Sequence, residues 1–374
     1  METFSLNMPV FIPNHIQQLK PYRAGKPIAE LRRERKLKKI IKLASNENPL
    51  GPSPKAMQAV RRALRECHRY PDPGAYELTT ALAKKYGRRP QEIFCAAGID
   101  SIIGSVITAF SQEGDEVLTS EGTFIGVYVN TTKLGRRLVA VKQRDYRFDL
   151  DAIARAVTPQ TRIIILANPN NPTGTYFSRQ EFEHFMDLVP DHILVLLDEA
   201  YFEYASHTAR DYPNGLKFDF DNLVTARTFS KIYGLAGLRL GFACGPEDSI
   251  RELSKVKLPF EPSSVASAAG IAALKDKAFL RRTLELNSVS LTMMRKRFDE
   301  IQLPSVVGSV SNFLMIPLRD AAMVARFTES CLASGLIIRP LGSFGFDHAI
   351  RINSGTLAET RFALKIIEKI WQTI

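Results

Sequence analysis

Cysteine is scarce in this chain of 374 residues: Cys67, Cys95, Cys244 and Cys331, none at a paired spacing. That argues against a disulfide framework. Cys95 and Cys244 fall in apolar, strand-like runs and are expected as reduced thiols. Long apolar runs are also missing. No stretch reaches the roughly 18 residues that a membrane-spanning helix needs. The N-terminus, METFSLNMPVFIPNHIQQLK, lacks the basic, apolar, small-residue order of a secretory signal, so a cytoplasmic protein is expected. The six histidines include no i,i+4 pair beside an acid, and no zinc site is legible. There is no G-x-G-x-x-G after a strand pattern and no Walker A sequence, which disfavours nicotinamide and ATP chemistry.

What is present is an ordinary globular composition, 45% apolar and 24% charged, with a formal charge of +11. The length suggests one large domain and a smaller one. The basic excess invites a nucleic-acid reading. Its densest cluster, residues 32–39 (RRERKLKK), is interrupted by Glu34 and Leu37 and holds no aromatics. No helix-turn-helix, zinc-finger or aromatic RNA-binding signature appears elsewhere. Arginines directed at anionic small molecules account for the charge more simply, and no nucleic-acid partner is expected.

Residues before about 45 read as an arm with a basic helix. Helical apolar spacing covers 56–66 and 76–86. Residues 93–97 read as a strand running into Gly98-Ile99-Asp100-Ser101, which opens an apolar helix through Phe110. Backbone N–H groups at such a start form an anion site, which singles out Ile99 and Asp100. Short strands are expected at 116–119, 138–142, 162–167 and 193–197, and the alternation continues to 238–244. After Pro259-Phe260-Glu261-Pro262 come long helical patterns at 265–274 and 279–301. Short strands at 313–316, 337–339 and 349–352 and a C-terminal helix follow. The expected organisation is an α/β fold in three parts. Residues 1–45 are an N-terminal arm packing with the small domain, 46–265 a large domain with a mostly parallel sheet flanked by helices, and 266–374 a smaller α/β domain.

The most informative stretch is Thr228-Phe229-Ser230-Lys231, with Arg239 eight positions after the lysine. One amine to form an imine, two hydroxyls and a guanidinium to hold a phosphate are the parts that pyridoxal 5'-phosphate requires. Two other segments complete the set. The apolar run 162–167 ends in Asn168-Pro169-Asn170-Asn171-Pro172-Thr173-Gly174, and 193–197 ends in Asp198-Glu199-Ala200-Tyr201. Ligands of open α/β sheets bind beyond the carboxyl ends of strands. Asp198, Asn171 and Lys231 all stand at such ends. A carboxylate there can keep a pyridine nitrogen protonated, and Asn171 and Tyr201 can donate to the ring's phenolate oxygen. Helix capping by Asp198 and simple packing of Tyr201 stay open. Arg351 lies in a strand-like apolar run, an odd place for a charge unless it meets an anion.

NPNNPTG, DEAY and TFSK followed by GLAGLRLGF resemble the fold-type I pyridoxal phosphate aminotransferases. LKPY at 19–22, KLASNENP at 42–49, RYPD at 69–72 and IRINSGT at 350–356 are similar to the histidinol-phosphate aminotransferase branch. The resemblance implies that Lys231, Asp198 and Tyr201 are catalytic and that Phe124 stacks on the cofactor ring. It implies that Thr228, Ser230 and Arg239 bind the cofactor. It also implies that Tyr70 reaches the cofactor phosphate of a neighbouring subunit in a homodimer. Tyr22, Asn46, Arg339 and Arg351 become substrate-binding candidates. A turn role for Asn46 and a rim salt bridge for Arg339 stay open. The implied reaction moves the amine of histidinol phosphate to 2-oxoglutarate, in histidine biosynthesis. Two departures stand out. The helix opening reads Asp100-Ser101 where the family has Asp-Glu, and Phe260 stands where some relatives place a tyrosine. Aromatic amino acids as donors, or decarboxylation of an amino acid phosphate, are the alternatives.

Overall fold

The computed structural model describes residues 10–21 and 25–374. A first short strand, β1 (Ile41–Lys42), precedes the central sheet. That sheet comprises β2 (Ile93–Ala96), β3 (Glu116–Ser120), β4 (Arg137–Val141), β5 (Thr161–Ala167), β6 (Leu194–Asp198), β7 (Leu223–Thr228) and β8 (Gly241–Cys244). Their order is β2-β8-β7-β6-β5-β3-β4. β8 runs antiparallel to β2 and β7, while the remaining pairs are parallel. The expected mostly parallel sheet is therefore observed.

Its central strands read as continuous apolar runs because both faces are covered. Every residue of β6 and β7 is buried. One face receives the helix Ile99–Phe110, whose Ile102, Ile103, Val106 and Ile107 have no solvent exposure. The opposite face packs Phe182, Phe185 and Ile153 against Leu166 and Val195. Each such side chain contributes about 1.5–3 kcal/mol of burial.

The chain runs from β3 outward to β4, then returns to the other side of β3 as β5 and continues through β6 and β7. The connections leaving the carboxyl ends of β3 and β5 therefore run in opposite directions along the sheet, the arrangement that leaves a crevice beyond those ends.

A second sheet contains β9 (Phe313–Pro317), with β10 (Leu336–Ile337), β11 (Arg339–Leu341) and β12 (Phe346–Asn353) following in the chain. The antiparallel order is β11-β12-β9, and β10 pairs in parallel with β1. The pattern at 337–339 suggests one strand, yet two form. β10 takes its partner from the N-terminal segment and β11 takes β12, so the chain turns at Ile338 between two different ladders. The helix Lys277–Glu300, capped by Asp276 through the Phe279 N–H (3.2 Å), packs beside the C-terminal helix Leu357–Trp371. Among the described residues, no helix is long and apolar enough to cross a membrane.

Candidate active site

A cavity of about 440 Å³ opens where β5, β6 and β7 end and where the helix Ile99–Phe110 begins. That volume lies within the range of small-ligand sites. Its wall includes Ile99, Asp100, Phe124, Asn171, Asp198, Tyr201, Thr228, Ser230, Lys231 and Arg239. Ten of the residues singled out in the sequence therefore share one wall.

Lys231 follows β7 in the loop beyond its end. Its Nζ lies 3.5 Å from the Ser45 carbonyl oxygen and 5.6 Å from the centre of the Tyr201 ring. Asp198 closes β6 and is 5% exposed. One carboxylate oxygen accepts from the Ala200 N–H at 2.9 Å. Burial pushes the Asp198 carboxyl up to about 7, and the charges of Asp100 and Glu199 push the same way. The Ala200 hydrogen bond and the Lys231 cation oppose that rise without overcoming it. A cationic ring nitrogen placed against this carboxylate would restore its charge.

Tyr201 is buried, with its ring edge-on to Phe313 and its hydroxyl accepting from Asn46 Nδ2 at 2.7 Å. Asn46 acts on its surroundings through both backbone and side chain. It takes a left-handed φ of 57°, a conformation that Asn tolerates. Its side chain meanwhile reaches the catalytic candidate. The Asn353 side chain holds its N–H at 3.0 Å, and Asn312 donates to its carbonyl at 3.1 Å.

On the anion-binding side, the helix start at Ile99 has no side-chain cap. Arg239, also left-handed at φ 51°, lies beside it. Its guanidinium is 3.5 Å from Ser230 Oγ and 3.9 Å from Asp100. Gly98 has φ 92°, and a Cβ there would come within 3.0 Å of Arg239 Nη2. Glycine thus lets the guanidinium lie against the helix start. Uncapped N–H groups, the hydroxyls of Thr228 and Ser230 and this arginine make up a candidate phosphate cradle. Amine, buried acid and cradle together fit pyridoxal phosphate. Phe124 immediately precedes the helix Ile125–Lys133. A Cβ on Gly126 would meet the Phe124 ring at 2.5 Å, so that glycine seats the aromatic at the cavity wall.

Arg351 and Arg339 are directly opposite each other on β12 and β11. Both are buried, at 4% and 7% exposure, which removes the rim position considered for Arg339. Arg351 donates to Asn171 Oδ1 and, at 3.0 Å, to the Ala44 carbonyl. The guanidiniums of both arginines stand 5.7 Å from the centre of the Phe344 ring. Arg339 is within 3.4 Å of Ser343 Oγ. Arg351 thus touches the cavity wall through Asn171, while Arg339 stands one strand away. Like charges facing across a ladder repel, and a shared anion turns that repulsion into attraction.

Tyr70 does not line this cavity. It is 81% exposed, with its ring stacked on Phe260 at 4.3 Å. Tyr22 lies outside the described residues.

Two features of the site's surroundings escape the sequence reading. The carboxylate missing at Ser101 is met from elsewhere: Glu261 Oε2 accepts from Ser101 Oγ at 2.7 Å and from the Ala97 N–H at 3.2 Å. Behind Asp198, the fully buried Glu199 pairs with Arg227 at 2.7 Å. A charge inside the run LVTART was the available signal for Arg227.

The profile of the family described as "Aminotransferase class I and II" matches residues 38–367. The chain is 38% identical over 359 residues to histidinol-phosphate aminotransferase 2 of Hydrogenovibrio crunogenus, covering 95% of each protein. It is 39% identical to histidinol-phosphate aminotransferase of Moorella thermoacetica, covering 95% of this chain and 92% of that one. The crystal structure of histidinol-phosphate aminotransferase from Sinorhizobium meliloti, in complex with pyridoxal-5'-phosphate, superposes with a TM-score of 0.88 at 29% identity, over 99% of both chains. The chain belongs to the class I and II aminotransferases.

Proposed function

We propose that this protein is a pyridoxal 5'-phosphate aminotransferase that moves the amine of histidinol phosphate to 2-oxoglutarate, yielding imidazole acetol phosphate and glutamate in histidine biosynthesis. The observation that carries the reading is the presence of Lys231 and the buried Asp198 in one cavity beside the phosphate cradle. The donor is supported by relatives named for it across 95% of the chain.

When bound, the cofactor supplies an aldehyde carbon for the amine and a ring able to store the electron pair left by a departing proton. Lys231 Nζ would hold that carbon, and once freed by the donor amine it would serve as base toward the substrate Cα proton and then as acid. Asp198, as carboxylate, keeps a proton on the facing ring nitrogen. Asn171 and Tyr201 offer donors to the ring oxygen, and Asn46 fixes the angle of the Tyr201 hydroxyl. Phe124 supplies a flat wall. The N–H groups at Ile99 and Asp100, with Thr228, Ser230 and Arg239, hold the phosphate.

Arg351 and Arg339 receive the anionic end of either substrate: a phosphomonoester in one half-reaction, a carboxylate in the other. By the resemblance to the family, Tyr22 is a further candidate for the substrate phosphate. Tyr70, exposed and away from its own cavity, serves the cavity of a second copy, so the working unit is a homodimer with shared sites. Residues 46–265 act as the cofactor-binding unit; the expected packing of the arm with 266–374 holds for β1, which pairs with β10, whereas the turn Asn14–Gln17 lies against the helix Ile125–Lys133 of the larger unit. The setting is the cytoplasm.

The test is a donor panel. With bound cofactor and 2-oxoglutarate, histidinol phosphate should exceed phenylalanine and tyrosine in kcat/KM, with glutamate formed. An aromatic preference overturns the donor. Release of carbon dioxide instead of glutamate overturns the reaction.

A further inference from the structure

On the face of β6 and β7 turned away from the cavity lies a second, enclosed set of charges. Successive side chains of a strand point to opposite faces. Asp198 and Thr228 line the cavity, and their neighbours Glu199 and Arg227 are on the reverse side. Glu199 Oε2 accepts from Arg227 Nε at 2.9 Å and Nη2 at 2.7 Å, while Oε1 accepts from the Gly215 N–H at 3.0 Å. Arg227 Nη2 also donates to Asn214 Oδ1 at 2.8 Å. The guanidinium lies 3.3 Å from the centre of the Phe202 ring. Glu199 has no exposure and Arg227 has 1%.

A buried ion pair of this kind is weak evidence for stability, because desolvation offsets most of the attraction. Its place in the chain is more telling. Glu199 is the residue after Asp198, and Arg227 comes four residues before Lys231. The registered pairing of β6 with β7 ends at Asp198 and Ala226, followed by the Glu199 N–H to the Ala226 carbonyl at 2.8 Å. The side-chain clamp therefore ties the two strand ends where the ladder runs out. It also places a cation against a carboxylate that would otherwise repel its neighbour.

We propose, resting on the pyridoxal phosphate reading above, that Arg227 is a positioning residue: by holding Glu199 it fixes the placement and the charge of Asp198 against the cofactor ring. The groups around Asp198 are Asp100, Lys231, Glu199 and Tyr212. Those around the clamp are Glu203, Tyr86, Tyr212, Tyr233, Lys85 and Cys244. Of all these, Glu199 is the anion next to Asp198 whose charge Arg227 directly neutralises.

The experiment measures the dissociation constant of pyridoxal phosphate for the cofactor-stripped protein between pH 6 and 9. Values for R227M, E199Q and R227M/E199M are taken as ratios to wild type, so the free cofactor's own titration cancels. R227M should weaken binding about tenfold near pH 7 and move the pH midpoint upward, since an unneutralised Glu199 holds the proton on Asp198. E199Q should move the midpoint the other way, because Arg227 then acts on Asp198 unopposed. R227M/E199M, apolar at both positions, should return the midpoint toward wild type. Equal affinity and midpoint in R227M and wild type overturns the proposal, as does a shift of E199Q in the same direction as R227M. Should R227M not fold, an unmoved midpoint in E199Q overturns it. A wild-type protein that binds no cofactor overturns the functional reading itself, a different result from an indifferent Arg227.

Discussion

Asp198 and Glu199 are adjacent carboxylates, both buried, and their circumstances are opposite. Glu199 accepts three hydrogen bonds, from the Gly215 N–H and from Nε and Nη2 of Arg227. Among the described residues, the Asp198 carboxylate accepts from the Ala200 N–H and borders a cavity, and burial raises its pKa to about 7. Burial raises Glu199 as well, yet the Arg227 charge is the foremost force pulling it back. A carboxylate completed by its own protein serves geometry. One kept short of partners beside a cavity is ready for an external cation.

The largest effect tests the cavity side. Lys231→Ala removes the amine that the strand end presents, and turnover should fall by roughly 10³-fold or more. The protein should also lose the visible absorbance that covalent attachment gives. Near-wild-type turnover would contradict the reading of the whole face. Asp198→Asn should follow, with kcat lower by about 10²-fold, since an amide cannot hold the ring nitrogen's proton.

The same substitution separates the two carboxylates by stability. Asp198 has a folded pKa of about 7 against an ordinary value of 3.8. Between these values the folded state holds a proton that the unfolded chain has released. In the cofactor-free protein its contribution is therefore fully present below about pH 4 and lost as pH rises through 7, amounting to about 4 kcal/mol at most. Thermal unfolding of cofactor-free wild type and Asp198→Asn, from pH 5 to 8, should show wild type losing ground and the variant lacking that component. Added cofactor should stabilise wild type more than the variant at pH 8.

How much of this contrast was readable beforehand follows from distance along the chain. β5, β6 and the helix Ile99–Phe110 announce themselves through local apolar runs. Asp198, Asn171 and Lys231 could be placed because Asp198 ends such a run and the other two lie in the turns that follow β5 and β7. The partners could not. Arg227 and Glu199 are 28 positions apart, Asn46 and Tyr201 155, and Ser101 and Glu261 160. Each contact depends on strand register or on how segments pack, which periodicity does not encode. The sequence registers a lost carboxylate at Ser101; only the fold shows the Glu261 carboxylate arriving from beyond the sheet. The split of 336–341 into β10 and β11 was hidden for the same reason, since each has a different partner strand.

On the reverse face the expected damage is to the fold. Glu199→Ala leaves a buried guanidinium without its carboxylate, and breaking one side of such a pair costs about 3–5 kcal/mol. Denaturant unfolding of the cofactor-free protein should show that loss, where Asp198→Asn at pH 8 shows none. Equal losses for the two would erase the contrast.

The smallest effect comes from the backbone that serves Glu199. Gly215 donates its N–H to that carboxylate, and a Cβ there would lie 2.4 Å from Thr225 Oγ1 and 2.9 Å from Leu197 Cδ2. Both neighbours belong to buried strands, so neither can withdraw freely. Gly215→Ala should therefore cost about 1–3 kcal/mol through overpacking, while the N–H remains able to donate. Because the strain falls on the reverse face, kcat per folded molecule should stay within about twofold of wild type. A large drop in kcat with little change in the unfolding midpoint would mean that packing behind the sheet reaches Asp198 by a route other than the Arg227 clamp.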